Sequence, residues 1–139
     1  MAVIPGVIAA STRGDGDTID LTQELAELVA ESGLTNGVAT LFVGGSTAGI
    51  TTVEYESGVV ADIQEVLETL APSGRDWRHH RRWGDHNGHS HIRSALVGPS
   101  LSVPFVGGAL TLGTWQQVVL MDFDERPRSR EIVVQLIGE

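Results

Sequence analysis

The last forty residues constrain the fold most, because they consist almost entirely of short segments with the pattern of β-strands. Residues 101–106 alternate in polarity, and Gly107-Gly108 then predicts a hairpin turn into the apolar segment 110–112. Residues 117–124 and 131–137 are two longer apolar runs. Successive strands without helices between them indicate a mainly antiparallel sheet.

The first hundred residues alternate between strand and helix patterns. Residues 2–12 are apolar and β-branched, and Pro5 within them indicates an edge strand. Two further strands are predicted at 38–43 and 46–56, and helices at about 20–32, 57–71 and 90–97. The sequence therefore predicts a single α+β domain over residues 1–139, with a mainly antiparallel, sandwich-like sheet and two to three helices.

Composition excludes several classes of protein. A net charge of −9 argues against general binding of nucleic acid. No stretch of about 18 apolar residues predicts a membrane helix, and no basic segment precedes the first apolar residues. Cysteine is absent, which excludes disulfides and thiolate ligands and fits a cytoplasmic protein. Every cation is arginine, so a lysine Schiff base and a P-loop lysine are excluded.

The chemistry of the chain is concentrated in residues 75–93, which hold all five histidines and five of the nine arginines. Imidazole is the commonest nitrogen ligand for zinc, and three neutral histidines with a water would form an open catalytic site. We therefore predict a divalent metal, zinc, although a solvated loop is the alternative. The predicted ligands are His80, His89 and His91, whereas His79 and His86 are predicted to be surface residues.

Carboxylates and an amide near the histidines have two interpretations each. Asp85 and Asn87 lie in the glycine-bounded turn GDHNG, where they could fix the turn or orient a histidine. Glu54 and Glu56 share one face of a predicted strand, so either could be a metal ligand or general base. An exposed strand end is the slightly favoured alternative for this pair.

Arginines suggest phosphate recognition, because guanidinium binds phosphate through two parallel hydrogen bonds. The residues concerned are Arg75, Arg78, Arg81 and Arg82, with a solvated charge run as the alternative. Trp77 and Trp83 are predicted to anchor the loop, with stacking on a planar heterocycle as the alternative, and Trp115 is predicted to be a packing residue. Arg126, Arg128 and Arg130, between the last two strands, are predicted to be solvated.

The order of these residues resembles the YjbQ family, whose members are often labelled secondary thiamine-phosphate synthases. The matching stretches are STAGITTVEYE at 46–56, His80 before Gly84-Asp85, Asn87 with His91-Ile92-Arg93, and the run from SLSVP to LGTWQQVVLMDFD at 100–124. The resemblance is strong over residues 38–139. It implies a YjbQ-like α+β fold, a homotrimer, and a site with histidines near the subunit interface that sometimes binds a metal.

The reaction implied by the resemblance is a weak condensation of hydroxymethylpyrimidine diphosphate with thiazole phosphate. The substrate would be a small phosphorylated molecule. By position, the resemblance implies that Glu54, Asp85 and Asn87 are catalytic, that Arg93, Thr114 and Gln116 bind substrate, and that His80 and His91 are site histidines. The alternative is a non-catalytic metal- or ligand-binding trimer whose interface histidines are structural.

One departure from the family concerns the third histidine. Many members of the family carry a histidine just before the Ser/Thr-Thr-Ala stretch, whereas this chain has Gly45 at that position. The chain has an additional histidine at position 89. We hypothesise that His89 replaces the missing ligand.

Overall fold

The computed structural model describes all 139 residues and contains eight strands and four helices. The strands are β1 (Ala2–Thr12), β2 (Asp17–Asp20), β3 (Gly37–Val43), β4 (Ala48–Val53), β5 (Ser100–Val106), β6 (Ala109–Leu110), β7 (Gln117–Asp122) and β8 (Arg128–Gly138). The helices are α1 (Thr22–Ser32), α2 (Ser57–Leu70), α3 (Arg78–Trp83) and α4 (Gly88–Val97). None of the helices is long and apolar enough to cross a membrane.

All strand pairs are antiparallel, and they form two sheets. The larger sheet has the order β1-β8-β3-β5-β6, and the smaller one has the order β2-β7-β4. Strand β1 lies at an edge, as Pro5 predicts, because proline has no N–H to donate to a second neighbour. The predicted α+β fold with a mainly antiparallel sheet is confirmed.

The inner faces of the two sheets share one hydrophobic core. Leu41 and Val134 from the larger sheet meet Ile50 and Leu120 from the smaller one, and all four are essentially inaccessible to solvent. Helix α1 closes the core with its apolar face, which follows the helical period predicted from the sequence. The arrangement is a sandwich, as expected from alternating inward and outward residues.

Helices α2 and α4 form a third layer on the outer face of the smaller sheet. Leu67 of α2 packs on Met121 and Phe123, so β7 is buried on both faces. Helix α4 is fixed to β4, where the Ser94 hydroxyl donates to the carbonyl of Ala48 at 2.6 Å. This third layer places residues 72–93 beside the C-terminal end of α2.

The outer face of the larger sheet has no covering layer. Two apolar rows cross it, and the strand register sets Val7 beside Val133 and Phe42, and Val3 beside Ile137 and Val38. Between them lies a polar row in which the hydroxyls of Thr40 and Ser102 are hydrogen-bonded at 3.2 Å. We call these rows the outer sheet face.

Several predicted boundaries differ from the structure. The chain has four helices, because α3 forms within the segment predicted to be a loop. Helix α4 begins at Gly88, and not at Ser90, since the backbone N–H of Gly88 finds an acceptor in Nε2 of His80 at 2.8 Å. The strand predicted at 46–56 ends at Val53.

The prediction that Arg130 is solvated is wrong. Its side chain is only 5% exposed, and its Nε and Nη2 donate to the two carboxylate oxygens of Asp122 at 2.7 and 2.9 Å. Asp122 also accepts from Thr12 at 2.7 Å. A buried guanidinium requires a carboxylate partner. Asp122 of β7 is that partner for Arg130 of β8, on the facing sheet.

Candidate functional site

Helices α3 and α4 approach each other closely at Gly88. A Cβ atom there would lie 2.6 Å from Cβ of Trp77 and 3.0 Å from Nε2 of His80, so only glycine allows this contact. The indole N–H of Trp77 donates to the carbonyl of Pro72 at 3.0 Å, which fixes the segment that enters α3. The predicted anchoring role of Trp77 is therefore supported, whereas Trp83 is largely exposed.

A cleft of about 610 Å³ lies between α3, α4 and the segment before them, and we call it the basic cleft. Its charged and titratable lining consists of Arg75, Asp76, Arg78, His79, Arg81 and His91. Asp76 is already paired with Arg81 at 2.9 Å. Arg75 lies over the ring of Trp77 at 4.5 Å. The cleft thus has an excess of positive groups.

His79 is held in place by the GDHNG turn. Its Nε2 lies 3.4 Å from a carboxylate oxygen of Asp85 and 3.1 Å from the side-chain amide of Asn87. With the amide turned so that its nitrogen faces these acceptors, Asn87 donates to both the carboxylate and the ring. The ring of His79 also packs edge-on against that of His91, with 4.5 Å between centroids. His79, predicted to be a surface residue, is therefore only partly exposed, at 30% of its side chain, and is held by the turn.

The hydrogen bond from Gly88 determines which nitrogen of His80 carries a proton. Because Nε2 accepts from the backbone N–H at 2.8 Å, a neutral ring is protonated at Nδ1. Nε2 of His80 is therefore engaged and is not a free ligand atom. The neighbouring His86 ring lies 5.7 Å away between centroids and is exposed, as predicted.

His89 and Arg93 lie on the face of α4 directed towards α2. The guanidinium of Arg93 donates to the carbonyl of Ala71 at 2.9 Å and to the carboxylate of Glu68 at 2.5 Å. Hydrogen bonds from Arg93 and Ser73 hold the pKa of Glu68 below its ordinary range. Arg93, expected to bind substrate, thus connects two helices in the single chain.

The three predicted metal ligands do not converge. His89 and His91 both lie in α4, and residues two apart on a helix point to different faces. His91 therefore lines the basic cleft, whereas His89 lines clefts on the α2 side. In the chain, no group of three or more His, Asp or Glu side chains is arranged to hold a metal ion. Within one chain, His80, His89 and His91 therefore do not form a zinc site.

The expected residues at the β4–β7 end lie far from the histidines. Glu54 and Thr114 are exposed, and the amide of Gln116 donates to the hydroxyl of Thr52 at 3.3 Å. Helix α2 begins next to Glu54 and ends next to the histidine segment, so its fourteen residues separate the two groups by about 20 Å. Trp115 is 74% exposed, and the prediction that it is a packing residue is wrong.

One signal in the sequence could have revealed the position of His79. RHHRRW followed by glycine is a helical turn with a C-terminal cap, and Gly84 has the left-handed φ of 68° that such a cap requires. A helix ending there returns the chain so that Asn87 meets His79, eight residues earlier.

Comparison with known proteins gives consistent matches over nearly the whole chain. A family model described as UPF0047 protein YjbQ-like matches residues 7–139. A UPF0047 protein of Methanothermobacter thermautotrophicus is 35% identical over 123 residues, covering 88% of this chain and 84% of that protein. The UPF0047 protein YugU of Bacillus subtilis is 33% identical over 124 residues, covering 88% and 90%.

Solved structures show the same fold. A crystal structure from Sulfolobus solfataricus, described as a YbjQ-like protein of unknown function, superimposes with a TM-score of 0.93 at 32% identity, covering 99% of each chain. A YjbQ/UPF0047 family protein from Clostridium acetobutylicum gives a TM-score of 0.85 at 34% identity, covering 94% of this chain and 98% of that one.

Proposed function

The chain belongs to the YjbQ/UPF0047 family, and on this premise we propose that its basic cleft binds the phosphate of a small phosphorylated molecule. The observation that carries the proposal is the charge of the lining. Three arginines and two histidines face the cleft, and its one carboxylate, Asp76, is already paired with Arg81. A guanidinium group binds two phosphate oxygens through two parallel hydrogen bonds. An anion therefore binds this cleft more tightly than a neutral ligand.

The wall of the cleft also supplies groups for proton transfer. Asp85 and Asn87 fix the orientation of the His79 ring, and His79 packs against His91 at the same wall. Because Nε2 of His79 accepts from Asn87, whose amide also donates to Asp85, the carboxylate orients the ring through the amide. An imidazole fixed in this way is suited to act as a general acid or base. We therefore assign proton transfer to His79 and His91, with Asp85 and Asn87 as positioning residues.

The condensation implied by the family resemblance stays a prediction. It requires the charge of a departing diphosphate to be neutralised, and the arginines of the basic cleft are suited to that task. Incubation with hydroxymethylpyrimidine diphosphate and thiazole phosphate tests it. If the wild-type protein releases diphosphate and the His91→Gln variant does not, the result would support an enzyme. If the protein binds phosphate without turnover, the result would support the alternative, a non-catalytic binding protein.

Binding is tested by calorimetric titration with inorganic pyrophosphate. Arg78 lines the cleft, so Arg78→Gln is expected to weaken binding about tenfold or more, since a hydrogen bond to a charged group contributes about 1.5–3 kcal/mol. Arg126→Gln is the matched control, because Arg126 is exposed outside the cleft and the change in net charge is the same. Equal weakening in both variants would contradict the proposal and indicate a nonspecific charge effect.

We also propose that the outer sheet face is buried in the homotrimer that the resemblance implies. Monomeric proteins rarely expose a contiguous apolar surface of this kind, and the two apolar rows contain no charged side chain. Two further copies of the chain are the proposed occupants.

Zinc, the replacement of a family histidine by His89, and a cytoplasmic location stay predictions. The surroundings of Gly45 do not support the replacement. A Cβ atom built there would lie 3.2 Å from Nη1 of Arg130, and no atom of His89 is found within 4 Å of it. Elemental analysis of the purified protein tests the metal. Full zinc stoichiometry in the His89→Ala protein would contradict the replacement.

A further inference from the structure

His89 is a buried side chain that the fold leaves without a partner. It lies in the first turn of α4 and is only 6% exposed, yet its Nδ1 makes no hydrogen bond in the chain. Buried polar atoms in native proteins are almost always hydrogen-bonded to protein, water or a ligand. Burial and the nearby Arg93 lower the pKa of His89, which favours the neutral ring. A neutral imidazole has one N–H and one unshared electron pair, so Nδ1 lacks a donor or an acceptor according to the tautomer.

The ring faces two adjoining clefts on the α2 side of α4, of about 330 and 480 Å³. The two clefts share Asp15, Ser73 and His89 in their lining, and we call them together the His89 cleft. Asp15 and Glu125 both line the larger of the two clefts. The space is large enough for a small organic ligand.

The backbone brings the two carboxylates to the same cleft. The N–H of Asp15 donates to the carbonyl of Asp124 at 2.7 Å, and that of Gly16 donates to the carbonyl of Asp122 at 2.7 Å. The turn around Asp15 is therefore fixed against the segment that carries Glu125. Neither carboxylate takes part in the ion pairs of the chain.

The cations near the cleft are already engaged. Arg93 donates to Glu68 and to the carbonyl of Ala71, and the other oxygen of Glu68 accepts from the backbone and hydroxyl of Ser73. Arg75, which also lines the basic cleft, lies over the ring of Trp77. Asp15, Glu65 and Glu125 in the lining have no cationic partner, so the cleft favours a ligand that carries positive charge and donates hydrogen bonds.

We propose that the His89 cleft binds an organic cation, through an ammonium or amidinium group that donates to Asp15 and Glu125 beside the ring of His89. One imidazole with two carboxylates is also a donor set for a metal ion. However, an ion requires all its ligands within about 2.0–2.6 Å, and no three such groups in the chain are arranged in that way. A polyatomic cation can reach groups that are spread around a cleft of this volume.

The site adjoins the basic cleft, because Arg75 and Asp76 line both, but it does not depend on phosphate binding. His89, Asp15 and Glu125 line only the His89 cleft, and the two clefts carry opposite net charge. A cation should therefore affect the ring of His89 and leave those of His79 and His91 unchanged.

The test follows the ring nitrogens of the five histidines by NMR while 1,4-diaminobutane is added to the full-length protein. The signals of His89 are expected to shift with saturation. Asp15→Asn should weaken binding at least about tenfold, as expected for loss of a hydrogen bond to a charged group. This variant keeps the fold, because asparagine tolerates the left-handed φ of 52° at position 15. Asp62→Asn is the matched control, since Asp62 is exposed on α2 outside the cleft.

Three outcomes would overturn the proposal. In the first, the diamine does not shift the His89 signals. In the second, it binds the Asp15→Asn and wild-type proteins equally well. In the third, zinc chloride or sodium phosphate, added separately, shifts the His89 ring while the diamine does not. Shifts of His79 and His91 with phosphate alone would leave the proposed function intact and would not rescue the cation site.

Discussion

At the scale of single residues, the pair formed by Arg130 and Asp122 is the most consequential contact outside the candidate site. Both side chains are almost fully buried, and two hydrogen bonds join them. Thr47 also accepts from Nη2 of Arg130 at 2.9 Å. The pair therefore connects strand β8 to β7 and to the segment entering β4.

Removal of one partner should leave a buried charge without compensation. We expect Arg130→Ala to lower the free energy of unfolding by about 3–5 kcal/mol, as measured by urea denaturation. Arg126→Ala removes the same charge at an exposed position and should change it by less than about 0.5 kcal/mol. A loss below about 1 kcal/mol in Arg130→Ala would contradict the account of this pair.

The same pair predicts how stability depends on pH. Burial alone would raise the pKa of Asp122, but hydrogen bonds from Arg130 and Thr12 outweigh it and lower the pKa below its ordinary value of 3.8. The unfolded chain then binds the proton more readily, so this contribution is complete above pH 3.8 and is lost as pH falls through the folded pKa.

Urea denaturation of wild-type and Asp122→Asn proteins between pH 7 and pH 2 measures this contribution. The variant is expected to be less stable at pH 7, and the difference between the two proteins should shrink below pH 3.8. A difference that stays constant across this range would show that Asp122 is not the group responsible.

At the scale of elements, the close approach of α3 and α4 at Gly88 sets the shape of the basic cleft. Gly88→Ala would place a methyl group 2.6 Å from Cβ of Trp77, so the helices must separate. We expect a loss of about 1–3 kcal/mol in the free energy of unfolding, as for overpacking, together with weaker pyrophosphate binding.

The matched control for this change is Gly74→Ala. A Cβ atom at Gly74 meets nothing within 4 Å, and the residue does not have a left-handed φ. Stability and binding should therefore stay within error of the wild type. If both variants behave alike, the contact at Gly88 does not determine the cleft.

Elements with a local signal could be predicted from the sequence, and those that depend on distant partners could not. Gly33 ends α1 with a left-handed φ of 73°, and the alternation of β8 matches its buried and exposed faces. By contrast, Arg130 is buried because a carboxylate on another strand receives it, which no local pattern shows. The three predicted metal ligands do not meet within one chain for a related reason: helix α4 begins at Gly88, so His89 and His91 both lie in the helix and point to different faces.

At the scale of the whole molecule, the outer sheet face is an apolar surface without a covering layer. It crosses the central strands β8 and β3, so its burial would join three copies through the middle of the larger sheet. Helices α3 and α4, which carry four of the five histidines, belong to the third layer on the other side of the smaller sheet. An interface on the outer sheet face therefore differs from the resemblance, which implies histidines near the interface.

Val133→Glu places a charge at the centre of an apolar row and should convert trimers to monomers in sedimentation velocity experiments. The matched control is Val66→Glu, because Val66 is exposed on α2, away from the outer sheet face. A monomeric wild type, or a trimeric Val133→Glu protein, would refute the proposed assembly.

The central claim is that the basic cleft binds phosphate beside an oriented histidine pair, and the histidine ring signals test it directly. In an NMR titration with inorganic phosphate, we predict that the signals of His79 and His91 move together with saturation, because both rings line the cleft and pack against each other. The signals of His86 and His89 should not move. Unchanged signals of His79 and His91, or a response confined to His86 and His89, would contradict the account.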